Sequence, residues 1–300
     1  MRLSLPFATV FPRFDAEKAI KLLLDAGFDS ADFDLECLRD SNHPLMSDGW
    51  YEYAKSIRDT ADRLGFSFNQ AHAPFRFKTE EWSNEETFSG KIMNAFIRGL
   101  EVCGVLGVDV CVIHPLHYLP YEKKAQFLFD KNMEYYKALL PHARRCGVKI
   151  GIENMFTRDL RRGIISRDTC SSISEFLKYV DTVDDEYAIA CLDVGHVGLI
   201  YQEDEAWDFV RALGKNRLLA LHIHDNNYRD DLHALPYTGK INWEKVTEAL
   251  GEIDYQGDFT YETLFNVSSM PEELVPAALR YMAEVGRYLM SRIDDARPKA

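Results

Sequence analysis

Residues 217–225 read Arg-Leu-Leu-Ala-Leu-His-Ile-His-Asp, and the alternation in this stretch decides how the rest of the chain is read. Side chains of a β-strand point to opposite faces in turn. Ala220, His222 and His224 therefore share one face, and Leu219, Leu221 and Ile223 share the other. The bulky face suits a covering layer of helices. The alanine and histidine face suits the inside of a closed sheet.

Outward from this segment, a short apolar run followed by an amphipathic stretch recurs about eight times in 300 residues. Strands are predicted at 2–9, 29–35, 66–72, 108–114, 148–153, 187–193, 217–224 and 258–263. Helical patterns lie between them at 16–26, 49–64, 88–106, 123–145, 172–180, 204–213 and 243–250, with a last helix near 272–290. Gly27, Gly65, Gly107, Gly147, Gly214 and Gly251 follow helical patterns, where left-handed C-caps are expected. Strands alternating with helices predict a parallel sheet. An open doubly wound sheet would carry a G-x-G-x-x-G phosphate loop after an early strand, and none occurs. No Pro/Gly/Ser-rich linker divides the chain. The expected architecture is one (β/α)8 barrel over residues 1–300.

Composition narrows the function classes. Hydrophobic content of 46% and charged content of 28% exclude wholesale disorder and fibrous repeats. No run approaches the ~18 apolar residues of a membrane span. The segment 1–19 lacks a hydrophobic core and a small-residue cleavage site, so a cytoplasmic location is expected. Six scattered cysteines without a C-x-x-C fit reduced, buried thiols. A net charge of −13 repels nucleic acid and anionic membranes on average, which favours a small-molecule substrate. The outer helices of a barrel leave room for a homo-oligomer.

The chemistry sits at strand ends, where barrels of this kind place their active sites. The third strand ends in His72 and the fourth in His114. The fifth ends in Glu153-Asn154 and the sixth in Asp193-Val-Gly-His196. The seventh ends in His222-Ile-His224-Asp225, and the eighth in Glu262. Parity places Glu153 with Gly151, opposite Ile150 and Ile152, and Glu262 with Thr260, opposite Phe259 and Tyr261. The ionisable side chains thus converge inside the barrel. Several carboxylates gathered there need a cation to offset desolvation and mutual repulsion. Two Glu, one Asp and histidines suit a divalent Mn, Zn, Co or Mg ion rather than a thiophilic one. The loop after the seventh strand adds Asp231-Leu-His233.

These motifs together, with the Gly-Lys-Ile-Asn-Trp run that ends at Trp243, resemble the xylose isomerase-like TIM-barrel superfamily. That group holds sugar-phosphate isomerases and epimerases, ketose 3-epimerases and the endonuclease IV class. The resemblance runs through nearly the whole chain in order and spacing. It implies one divalent ion held by Glu153, Asp193, His222 and Glu262, with the two glutamates as the acid/base pair. It implies that His196 contacts substrate. The endonuclease branch binds three zinc ions, and its added ligands resemble His72, His114, His196, Asp231 and His233. All of these positions are present, so the ligand set does not separate the branches. Two features depart from the pattern. The usual Pro-Gly-x-Gly turn reads Pro236-Tyr237-Thr238-Gly239, and the arginine expected shortly after the seventh strand is matched only by a displaced Arg229.

The resemblance implies an isomerase or epimerase acting on a carbohydrate by proton transfer through an enediolate. The alternative is an endonuclease IV-like, zinc-dependent phosphodiester hydrolase, opposed by the acidic balance. A sugar-binding or sensory protein without turnover is a third reading, opposed by the intact paired glutamates. His224 is expected as a satisfied core or supporting histidine, His43, His117 and His142 as surface residues, and Asp32 and Asp34 as caps of the loop after the second strand.

Overall fold

The computed structural model describes residues 1–159, 161–200, 202–263 and 267–299. In chain order its strands are β1 (Leu3–Pro6), β2 (Ser30–Asp34), β3 (Ser67–His72), β4 (Val110–Val112), β5 (Lys149–Glu153), β6 (Phe156–Asp159), β7 (Ile164–Arg167), β8 (Ala188–Asp193), β9 (Leu218–His222) and β10 (Phe259–Thr260). Eight of them form one parallel sheet in the order β10-β1-β2-β3-β4-β5-β8-β9. A parallel bridge between Ile223 and Tyr261 brings the two edges together. Its bonds run from the Ile223 N–H to the Thr260 carbonyl at 2.9 Å and from the Glu262 N–H to the Ile223 carbonyl at 3.0 Å. The sheet is therefore a closed barrel, and the (β/α)8 expectation holds.

Helices follow the strands as the apolar periodicity predicts, with shifted ends. The helix at Ala16–Ala26 starts on Asp15, whose carboxylate accepts the Lys18 N–H at 2.8 Å. Four of the six marked glycines end helices in the left-handed conformation: Gly27, Gly65, Gly107 and Gly147. At Gly214 the backbone also turns to positive φ (63°) and leaves the helical conformation, so the helix breaks there, with a further turn running to Arg217. The remaining expectation is corrected. Gly251 lies inside the helix Trp243–Glu252, where a Cβ would meet Ala296 Cβ at 2.5 Å and the Ile293 carbonyl at 2.6 Å, so close helix packing explains that glycine.

Outward strand residues such as Ile150, Ile152, Leu221, Ile223, Phe259 and Tyr261 join the large core beneath the helices. Inward residues form a separate small core of Val110, Val112, Ile189, Cys191 and Ala220. Gly151 is inward as expected, since its Cβ would lie 3.2 Å from Val110 and 3.3 Å from Cys191. Below the mouth, Ser4 Oγ bonds to Asn69 Oδ1 at 2.7 Å and Asn69 Nδ2 to Thr260 Oγ1 at 3.0 Å. Leu219 departs from simple alternation. The register between β8 and β9 slips, with Ala190 opposite Leu218 but Cys191 opposite Ala220. Leu219 is the extra residue and packs on the inner core rather than beside Leu221.

An antiparallel hairpin, β6 with β7, is inserted after β5. Its composition of Phe-Thr-Arg-Asp and Ile-Ile-Ser-Arg gave no periodic signal of the kind that marks a barrel strand. Among the described residues no helix is long and apolar enough to cross a membrane.

Candidate functional site

The carboxyl ends of the strands open into a cavity of about 580 Å³. Its floor holds His72, His114, Glu153, His196 and Glu262, and its walls include Phe75, Met155 and Phe156. Asp193 and His222 lie just beneath, fully buried.

Strand ends position each group. Asp193 closes β8 and caps the short helix Val194–Leu199, where its Oδ1 accepts the His196 N–H at 2.6 Å. His222 ends β9 with its Nδ1 3.2 Å from Glu153 Oε1, 3.4 Å from Glu262 Oε2 and 3.9 Å from Asp193 Oδ2. One ligand atom from each of Glu153, Asp193, His222 and Glu262 lies within 4.8 Å of the other three. A single divalent ion with ligand bonds of about 2.0–2.2 Å can draw such a set together.

The flanking histidines are held in a common way. Nδ1 of His72 meets the Ala73 carbonyl at 2.8 Å, that of His196 the Asn154 carbonyl at 2.8 Å, and that of His233 the Glu262 carbonyl at 2.6 Å. Donation from Nδ1–H to a carbonyl fixes each ring and turns Nε2 toward the site, where that of His233 meets Asp231 Oδ2 at 3.1 Å. His72 Nε2 lies 3.6 Å and His114 Nε2 3.1 Å from Glu153 Oε2, and these three residues form a second compact group. His196, Asp231 and His233 do not form one compact group among the described residues. His224 stands between them and joins Asp193 and His196 on one side, His233 and Glu262 on the other.

His224 is fully buried. Its Nε2 lies 3.1 Å from both oxygens of Asp193, and its ring stacks on His233 at 4.4 Å. Gly195 makes room for it, since a Cβ there would fall 2.0 Å from the ring. Gly195→Ala is expected to dislodge His224 and Asp193 together, destabilising the fold by about 1–3 kcal/mol and weakening divalent-ion binding. Thermal denaturation and metal titration check this; wild-type values in both would show that the ring has another place to go.

Electrostatics split the two glutamates. Burial opposes ionisation of Glu153, but His222 and His114 outweigh it and hold its carboxyl well below the usual range. Burial pushes Glu262 up, its neighbours Asp193 and Glu153 add to the rise, and His222 and His233 offset only part of it. The imidazoles beside Glu153 also diverge. Burial draws His114 down to about 4, whereas at His72 the Glu153 carboxylate overcomes burial and lifts it to about 9. The two rings lie 4.6 Å apart, too close for both to carry charge against one carboxylate. Burial opposes protonation of His233, but Asp231 and Glu262 raise it to about 10.

Several polar atoms at the site are buried without a hydrogen-bond partner: Glu153 Oε2, Glu262 Oε2, His72 Nε2, Asp231 Oδ1 and His224 Nδ1. Orphaned carboxylate oxygens beside imidazole nitrogens that lack partners are what a divalent cation would satisfy. The four-residue set fits such an ion by chemistry and by spacing.

The sequence reading missed three contributors. Asp225 takes the N–H groups of Asn226, Gly239 and Ile241 and the Trp243 indole N–H, at 2.8–3.1 Å, and so organises the loop that carries Asp231 and His233. Asp32 is buried, accepts from Gln70 Nε2 at 2.9 Å and borders the cavity, so it is more than a loop cap. His117, expected on the surface, lines the cavity with its Nδ1 3.4 Å from the buried Asp168. His43 and His142 are half-buried and lie outside the cavity. Tyr237 occupies the turn with a left-handed φ of 72°, the conformation glycine would take without strain. Arg229 is 86% exposed and does not line the cavity.

A family model described as xylose isomerase-like TIM barrel matches residues 20–285. An uncharacterised protein of Methanocaldococcus jannaschii, MJ1311, is 30% identical over 194 residues, 64% of this chain and 62% of that protein. The Sinorhizobium fredii protein y4fM is 24% identical over 136 residues, 45% of this chain and 40% of its own length. The matched part thus spans less than two thirds of either relative. Among solved structures, a D-tagatose 3-epimerase-like protein superposes with a TM-score of 0.73 at 21% identity, covering 98% of this chain and 99% of that one. D-psicose 3-epimerase from Clostridium cellulolyticum H10, solved with D-tagatose, gives 0.73 at 17%, covering 97% and 99%. The IOLI protein, solved with a bound zinc atom, gives 0.67 at 17%, covering the whole of both chains. At these identities the likeness is one of fold.

Proposed function

The chain belongs to the xylose isomerase-like TIM barrel family, and on that premise we propose that it is a divalent-metal-dependent isomerase or epimerase of a sugar or sugar phosphate. The observation that carries the reading is the pair Glu153 and Glu262. Both border one cavity, both lie within 3.4 Å of His222 Nδ1, and their surroundings drive their ionisation in opposite directions. Environments that separate two carboxyl groups in this way assign one as base and the other as acid.

Glu153, Asp193, His222 and Glu262 would hold the ion. When bound, it would supply Lewis acidity toward a substrate carbonyl and its neighbouring oxygen. Glu153, ionised, removes the proton from the carbon next to the carbonyl, leaving an enediolate. Glu262, protonated, returns a proton to the opposite face for epimerisation. His72 Nε2 and His196, each fixed through its Nδ1, offer hydrogen bonds to substrate hydroxyls. Phe75, Met155 and Phe156 shield the reacting carbon from water. The zinc atom in IOLI and the sugar named with the Clostridium epimerase support this chemistry.

The test is solvent exchange. Metal-reconstituted protein is incubated in D2O with ketoses, aldoses, cyclitols and their phosphates, and deuterium at the carbon beside the carbonyl is followed by NMR. Exchange in at least one of them is expected. No exchange across the panel, with cleavage of a phosphodiester instead, would overturn the reading. One observation favours that second reading, a zinc-dependent hydrolase: His72, His114 and Glu153 form a further metal-capable group. Elemental analysis separates the two, with one ion per chain for the epimerase and three for the hydrolase.

A further inference from the structure

The cavity has two unlike sides. Carboxylates and histidines occupy the floor and the side formed by the loops after β9 and β10, and Asp32 and Asp34 line it at the end of β2. The loops after β3, β4 and β5 contribute Arg76, His117 and Arg158 to the same cavity. Those three strands are neighbours in the barrel, so the three basic groups share one arc of the mouth.

These groups are not consumed by internal pairing. Acidic residues outnumber basic ones 48 to 35, and most arginines on this protein have a carboxylate at hand. The Arg76 guanidinium lies against the Phe75 ring at 5.3 Å, with no carboxylate within 4.0 Å among the described residues. Among the described residues Arg158 reaches only Asp230, at 3.9 Å. His117 is aimed by Asp168, a fully buried carboxylate whose Oδ1 is taken by the Thr169 N–H at 2.7 Å. Arg158 belongs to the inserted hairpin, where residues 156–167 hold four arginines and one aspartate. A net-negative chain has thus placed a basic hairpin over an acidic site.

Resting on the proposed sugar chemistry, we propose that the substrate carries a phosphate monoester, received by Arg76, Arg158 and His117. A sugar hydroxyl gives the unpaired Arg76 guanidinium and the loosely paired Arg158 nothing to neutralise. A phosphate presents three acceptor oxygens and close to two negative charges, which arginine binds through paired N–H donors. Bound on this arc, it would leave the carbonyl end of the sugar over Glu153 and Glu262.

Calorimetric titration of the manganese-loaded protein with D-fructose and with D-fructose 6-phosphate tests this without requiring turnover. The phosphate ester is expected to bind at least tenfold tighter. Arg76→Gln combined with Arg158→Gln is expected to cut that preference to within about twofold, with fructose affinity unchanged. Equal binding of the two sugars to the wild type would overturn the proposal. So would a preference that survives the double variant, because the phosphate would then rest on the metal centre. Deuterium exchange into unphosphorylated sugars without any preference sinks this inference alone. A phosphate preference without exchange into any sugar sinks the isomerase reading alone.

Discussion

Glu153→Gln is expected to lower turnover by at least about 10³-fold and to weaken divalent-ion binding in parallel. General-base removal accounts for about 10²–10⁴-fold by itself. The substitution also takes a negative charge from the centre of the cluster. Glu153 Oε1 faces His222 Nδ1 at 3.2 Å, and Oε2 faces His114 Nε2 at 3.1 Å and His72 Nε2 at 3.6 Å. With a neutral amide in its place, the rise of His72 to about 9 loses its main cause, leaving burial and His222 to favour the neutral ring against Glu262. The side-chain shape is kept, so the fold should survive, with a thermal midpoint near the wild type in the metal-free state. Steady-state kinetics and metal titration on the same preparation read both effects. Turnover within tenfold of wild type would remove Glu153 from the acid/base role.

Chelation is expected to give the second large effect. Three carboxylates lie around His222 with orphaned oxygens on Glu153 and Glu262. An ion present at about 1,000 times its dissociation constant would stabilise the native state by about 4 kcal/mol. Removing it with EDTA should lower Tm by on the order of 5–10 °C. Activity should vanish and return on adding Mn, Zn or Co. Scanning fluorimetry and elemental analysis follow the two states. Full activity and an unchanged Tm in protein shown to be metal-free would dismiss the metal-dependent reading.

The barrel was legible because its signals are local and repeated. Apolar runs alternate with amphipathic stretches, and glycines such as Gly27 and Gly147 end helices where the periodicity stops. Inward parity of Glu153, His222 and Glu262 was also legible, because two-residue alternation holds along any regular strand. Leu219 shows where that rule fails. A slip in register against β8 is a property of the pair of strands, and neither strand encodes it alone. The β6–β7 hairpin escaped notice because strands of four residues are too short to display a period.

Sequence by itself determined the closed parallel sheet, the metal-capable residues at strand ends and their shared inward face, since each follows from backbone geometry acting on neighbours in the chain. Only the tertiary structure decided how those residues are paired, aimed and charged. The contact of His224 with Asp193, the seating of His117 on Asp168, the loop gathered by Asp225 and the opposed ionisation of Glu153 and Glu262 all arise between groups far apart in sequence. Electrostatic and hydrogen-bond energies depend on distance and burial, and the fold alone sets both.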